Sequence, residues 1–164
     1  MGIFYTLPDM KPLVVYYSRT GTTRKVAASI VEVLKCDVEE IRDLKNRSGV
    51  LGWLSSGRDA TLNKLTKIDK PEKSPELYGV TIIGTPVWNN TVSTPTRTYM
   101  VEYRDRFKQV AFFCTQYGSE SNALKDMEAL CGRKPVATLM LKRRQVETGE
   151  YADLVRQFCA QITQ

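Results

Sequence analysis

The chain contains no histidine. That absence excludes Ser-His-Asp and Cys-His nucleophilic machinery and removes the commonest metal-ligating side chain, so neither a catalytic triad nor a metal site is expected. Cysteine is sparse and scattered. Cys36, Cys114, Cys131 and Cys159 include no Cys-x-x-Cys pair, a pattern that fits buried thiols in a cytoplasmic protein better than a disulfide frame or a zinc site. Long apolar runs are missing too. Nothing approaches the ~18 residues of a spanning helix, no secretory leader is legible, and a membrane partner is not expected. Met1-Gly2 with Thr6 meets the loose myristoylation pattern by chance, since bulky Ile3, Phe4 and Tyr5 follow and no basic cluster supplies a second membrane signal.

What is present is an ordinary globular composition. Across 164 residues, 42% are hydrophobic and 26% charged, enough for one domain that buries roughly two-thirds of its unfolded surface. The net charge is +6, but the basic residues are dispersed. The densest run, Lys142-Arg143-Arg144, reads as a solvated edge, and with no nucleic-acid motif in the chain nucleic acid is not an expected partner.

Apolar segments alternate with helical patterns. Strands are expected at 12–17, 36–42, 79–84, 109–115 and 135–141. The runs Leu13–Tyr17, Val80–Ile83 and Val110–Phe113 are almost continuously apolar, as parallel strands covered on both faces should be. Helical stripes run through Val26, Ala27, Ile30, Val33 and Leu34, then through Leu124, Met127 and Cys131 before a Gly132 stop, and finally through Tyr151, Leu154, Val155, Phe158, Cys159 and Ile162. The helix after 92 is less regular. Residues 44–76 read as a short helix or two and a long loop leading to Pro71 and Pro75, and residues 1–11 as an N-terminal extension to a domain spanning 12–164. The alternation predicts an α/β fold of three layers, a doubly wound five-stranded parallel sheet in the order 2-1-3-4-5, with ligands at the carboxyl ends of the strands.

At the end of the first such strand stands Ser18-Arg19-Thr20-Gly21-Thr22-Thr23, directly before a helix. Backbone N–H groups, the positive end of the helix dipole and the hydroxyls of Ser18, Thr20, Thr22 and Thr23 can together hold a terminal phosphate. With one glycine and no lysine in place, this is not the turn of a triphosphate P-loop. Nor does it have the several glycines that let a dinucleotide pyrophosphate approach closely. Glu39 and Glu40 lie near the spacing of a ribose-binding acid, a weak partial match. The same hydroxyls would also serve simply as a helix cap. Two further strand ends converge on this rim: Gly84-Thr85-Pro86-Val87-Trp88-Asn89 and Cys114-Thr115-Gln116-Tyr117-Gly118. Each joins small polar residues to one large aromatic. Together they suit a flat, polar-edged ring on a phosphorylated tail.

At these residues the chain resembles the flavodoxin family. Ser18-x-Thr20-Gly21-x-Thr23 matches the family's phosphate signature, Gly84–Trp88 is similar to the second flavin loop of its shorter members, and Thr115–Gly118 occupies the third. The resemblance covers about residues 12–163 and implies a flavodoxin-like domain that takes FMN as cofactor. It implies that Ser18, Arg19, Thr20, Gly21, Thr22 and Thr23 hold the phosphate, that Thr85, Pro86, Val87, Trp88 and Asn89 line the ring, and that Thr115, Gln116, Tyr117 and Gly118 close it. The basic charge departs from the acidic habit of electron-carrier flavodoxins, and 44–76 has no counterpart role. Three functions follow in order: electron transfer to a redox partner protein or small acceptor, an FMN-dependent NAD(P)H:quinone or flavin oxidoreductase, and a non-redox phosphate-binding or regulatory domain of the same fold. No lid is expected unless 44–76 folds over the site.

Overall fold

The computed structural model describes residues 11–118 and 120–164; the extension expected at 1–11 lies outside them except for Lys11. Five strands form one parallel sheet: β1 (Leu13–Tyr16), β2 (Asp37–Glu40), β3 (Val80–Trp88), β5 (Gln109–Gln116) and β6 (Thr138–Lys142). Their order is β2-β1-β3-β5-β6, which is the expected 2-1-3-4-5 once a small additional strand is numbered. That strand, β4 (Thr91–Val92), pairs antiparallel with the end of β3.

The apolar runs follow from two buried faces. Val14, Tyr16, Ile82, Ala111 and Phe113 face one core with Val26, Ala27 and Ile30 of helix α1 (Thr22–Leu34), Val146 of α5 (Arg143–Thr148), and Val155 and Phe158 of α6 (Ala152–Ile162). Leu13, Val15, Ile83, Val110 and Phe112 face the other, where α2 (Gly49–Thr61), α3 (Thr94–Tyr103) and α4 (Ala123–Cys131) lie. Alternate residues of one strand therefore serve different layers, and both sets are mostly apolar. All four cysteines are buried and unpaired.

Two boundaries differ from expectation. β3 runs four residues beyond Ile83–Gly84, through Thr85, Pro86, Val87 and Trp88. Pro86 is tolerated in this central strand because β1 pairs with β3 only as far as Gly84. Pro86 itself is paired with β5 alone, opposite Thr115, and β4 joins β3 only from Val87, so a missing N–H breaks no ladder there. Asn89 and Asn90 then adopt positive φ, 46° and 71°, the backbone of a two-residue hairpin turn whose twist matches the strands it joins. Gly84 itself lies under the Phe113 ring, where a Cβ would collide with the ring carbons. Residues 44–76 hold one 13-residue helix, α2, followed by a bridge between Ile68 and Asp43 and a 3₁₀ turn at Pro75–Leu77.

Candidate functional site

Register sets the rim. Tyr16 lies opposite both Glu40 and Gly84, Pro86 opposite Thr115, and Gln116 opposite Lys142. The segments following these pairs therefore meet at the carboxyl edge of the sheet. A cavity of about 550 Å³ opens there, within the ~300–1,000 Å³ typical of small-molecule sites.

The hydroxyl-rich turn forms its floor. Gly21 takes φ of 99°, a left-handed geometry that favours glycine. Ser18 folds back so that its Oγ accepts from the N–H of Gly21 at 3.1 Å and of Arg24 at 3.2 Å. The N–H groups of Thr22 and Thr23, at the first two positions of α1, are left without intrahelical partners by helix geometry. Thr23 is buried and hydrogen-bonds the Thr115 hydroxyl at 2.8 Å, tying the first rim segment to the third. The side chains of Thr20 and Thr22 reach the cavity and make no side-chain hydrogen bond among the described residues.

Thirteen of the fifteen residues implied by the resemblance line this cavity; Gly21 and Thr85 do not. Gly21 acts through its backbone. Thr85 is fully buried, its hydroxyl accepting from the Ser93 N–H at 3.0 Å and lying 3.0 Å from the Ser93 Oγ, so it holds the start of α3 instead. Pro86, Val87, Trp88 and Asn89 form one wall and Thr115, Gln116, Tyr117 and Gly118 the other. Trp88 is almost wholly buried, with its ring edge-on to Tyr17 at 5.4 Å and under the Arg47 guanidinium at 5.2 Å. Tyr117 stands at the mouth, 76% exposed, with Arg143 over its ring at 4.9 Å. Gln116 is the informative member. It is only 4% exposed, yet neither end of its side-chain amide has a hydrogen-bond partner among the described residues. Such a group costs roughly 1–3 kcal/mol unless something in the cavity completes it.

Of the two arginines near the turn, Arg24 leans away into an ion pair with Glu40 at 2.5 Å, and Glu40 also accepts from Tyr16. Arg19 lines the cavity while its Nε donates to the Arg47 carbonyl at 3.0 Å and its Nη2 to that of Gly49 at 3.2 Å. This fastens the turn to the segment that starts α2. That segment is built on a buried ion cluster: Arg47 bonds Asp43 at 2.5 Å and Asp59 at 3.0 Å, and Lys45 bonds Asp59 at 2.7 Å. Burial pushes the Asp59 carboxyl up, but hydrogen bonds and charge from Lys45 and Arg47 outweigh it and hold the group at about 2. Burial, aided by Asp43, pushes the Tyr17 hydroxyl up to about 12.

Seven lining residues lie outside the sequence-predicted set: Trp53, Leu54, Ser56, Gly57, Asn90, Glu120 and Arg143. The first four belong to α2, so the segment without an expected role does flank the site. Its one available signal was the bunching of Val50, Leu51, Trp53 and Leu54. Arg143 corrects the reading of 142–144 as solvated edge. It begins α5 directly after β6 and reaches the cavity.

A hydroxyl-lined anion turn beside an aromatic-walled slot, at the switch point between β1 and β3, defines a doubly wound domain with a cavity shaped for a phosphorylated ring compound. The sequence profile of the flavodoxins matches residues 11–148, and the chain belongs to that family. Among solved structures it is similar to a flavoprotein from Lactobacillus acidophilus described in complex with FMN, at 21% identity and a TM-score of 0.69 over 85% of this chain and 98% of that one. The apo form of the Lactobacillus acidophilus flavoprotein superposes with a TM-score of 0.60 at 22% identity, over 85% and 96% of the two chains. Oxidised flavodoxin 1 from Bacillus cereus gives 0.53 at 15% identity, over 93% and 96%. At these identities the likeness is one of fold. No curated protein matches the chain.

Proposed function

We propose that the protein binds FMN in this cavity and serves as a flavodoxin-like electron carrier, with residues 12–164 as its single FMN-binding domain and 1–11 as an extension. The observation that carries the reading is the turn at 18–23. It gathers uncommitted hydroxyls of Thr20 and Thr22, two first-turn N–H groups and Arg19 where one phosphate would sit. Gln116 supplies the fit at the other end. Its unpartnered amide is both donor and acceptor, complementary to the alternating acceptors and donor of a flavin's pyrimidine edge. The FMN recorded in the Lactobacillus acidophilus relative points the same way.

FMN, when bound, supplies one- and two-electron transfer, and the protein governs its access and surroundings. Trp88, held between Tyr17 and Arg47, would give one wall a fixed orientation. Trp53 and Leu54 would exclude water from the side that α2 covers. Tyr117 is exposed, so the mouth between them stays open to a docking partner. The net positive charge favours an acidic partner face, with association that weakens as salt rises. Four buried unpaired thiols suit a reducing compartment such as the cytoplasm.

The reductase reading rests on one observation. Arg143 and Tyr117 stand together at the mouth, an aromatic face with a cation that an anionic dinucleotide or a quinone would engage. Stopped-flow mixing of the flavin-loaded protein with NADH and NADPH decides between the two. A carrier shows no rapid bleaching of the flavin band; bleaching on the order of 10 per second, typical of turnover, overturns the carrier reading.

A further inference from the structure

α2 is amphipathic the wrong way round. Its buried residues are Gly52, Ser56, Asp59 and Ala60, small or polar, while Val50, Leu51, Trp53 and Leu54 are 75%, 81%, 62% and 54% exposed. The inward choices have local reasons. Gly52 lies against the Arg47 backbone, where a Cβ would clash, Ser56 bonds the Gly52 carbonyl at 2.6 Å, and Asp59 completes the ion cluster. Trp53 and Leu54 line the cavity, but none of this explains Val50 and Leu51. Exposed apolar residues also follow the helix in the chain, at Leu62 and Leu65, and precede it at Leu44. Seven of the twelve exposed large hydrophobics among the described residues therefore fall between 44 and 67.

The charges of the same stretch have one sign. Lys45, Arg58, Lys64 and Lys67 are exposed, and the sole acid, Asp59, is buried and paired. Exposed aliphatics and a tryptophan among lysine and arginine, with no outward carboxylate, are the chemistry of a helix that lies in the interface of an anionic bilayer. A second copy of this chain suits the face poorly, because pairing it with itself would set four cations against four. A protein groove suits it less well than a fluid surface does. Taken at 100° per residue, Trp53 on one flank and Leu62 on the other spread the apolar side chains over roughly half the helix circumference.

We propose that α2 and the turn after it dock the protein on an anionic lipid surface. The absence of a helix long and apolar enough to cross a membrane among the described residues is consistent with this, since the contact is peripheral. The sequence reading expected no membrane partner because it weighed spanning segments, a secretory leader and N-terminal acylation, and not a surface-lying helix. Since Trp53 and Leu54 also line the cavity, docking by this face would bring the cavity mouth beside the bilayer surface. The inference does not rest on the cofactor, because lipid binding can be scored with or without flavin.

The test is co-sedimentation of the full chain with vesicles of one part phosphatidylglycerol to two parts phosphatidylcholine, against vesicles of phosphatidylcholine alone. We expect binding to the mixed vesicles at least tenfold tighter than to the neutral ones, weakening as salt rises. Tryptophan emission should shift to the blue on binding, through Trp53, because Trp88 is already buried. The double variant Leu51→Ser/Leu62→Ser removes two apolar side chains that do not line the cavity, and should bind at least tenfold more weakly with an unchanged melting temperature. Equal binding to both vesicle types, or unimpaired binding by the variant, would overturn the proposal. So would a dimer in sedimentation equilibrium that the variant dissociates, since a second copy would then cover the face. Failure to bind either vesicle while the protein stays monomeric would also overturn it, and would assign the face to an acidic protein partner.

Discussion

The decision between a helix cap and a phosphate site is made by single hydroxyls. Ser18 alone satisfies the capping role, since its Oγ receives the N–H groups of Gly21 and Arg24. Thr23 is committed to Thr115. Thr20 and Thr22 make no side-chain hydrogen bond among the described residues and line the cavity, so their hydroxyls are available to the phosphate of the FMN proposed above. Thr20→Ala should therefore leave the melting temperature unchanged and weaken FMN by the worth of one hydrogen bond to a charged group, about 1.5–3 kcal/mol or ten- to hundredfold; isothermal titration measures it. Gln116 makes the complementary case, because its buried amide is unpartnered in the protein alone. Gln116→Leu should stabilise the flavin-free protein, by up to about 1–3 kcal/mol in urea unfolding, while loosening FMN. A variant that is less stable without flavin would mean that the amide has a structural task.

Elements that obey their own periodicity were legible in the sequence, whereas α2 was legible only as a short helix somewhere in 44–76, without its bounds or its face. Leu13–Tyr16 and Val110–Phe113 show as strands because both faces of the sheet are covered, and Val26, Ala27 and Ile30 show as a helix because they point inward. α2 carries its apolar residues outward and its ions inward, so a reading that assigns apolar residues to the core misplaces its face. The end of β3 was obscured by Pro86, whose tolerance depends on β1 stopping at Gly84. Arg143 was hidden in a basic run that only the close of β6 brings to the cavity. The ion cluster under α2 also makes this element acid-sensitive. Asp59 has a folded value of about 2 against an ordinary 3.8. Its depressed value means that its contribution is complete above about pH 4 and is lost as pH falls toward 2. Urea unfolding at pH 5, 3 and 2 should show Asp59→Asn less stable than the parent at pH 5, with the difference closing toward pH 2. Parallel curves would show that the carboxylate is not anchored in the folded state.

At the scale of the molecule, strand order and the meeting of the three loop segments at one cavity both followed from the alternation of elements, because right-handed crossovers leave few ways to cover a parallel sheet on both faces. The net charge of +6 specifies the sign of the partner face proposed above and no more. What the whole assembly does depends first on whether the turn at 18–23 holds a terminal phosphate. The most direct measurement is titration of the flavin-free protein with FMN and with riboflavin, followed by quenching of flavin fluorescence. The two ligands share the ring and differ in the phosphate alone. With two or more charge-assisted hydrogen bonds at about 1.5–3 kcal/mol each, FMN should bind at least a hundredfold more tightly. Equal affinities would contradict the account, and would make the turn nothing more than the start of a helix.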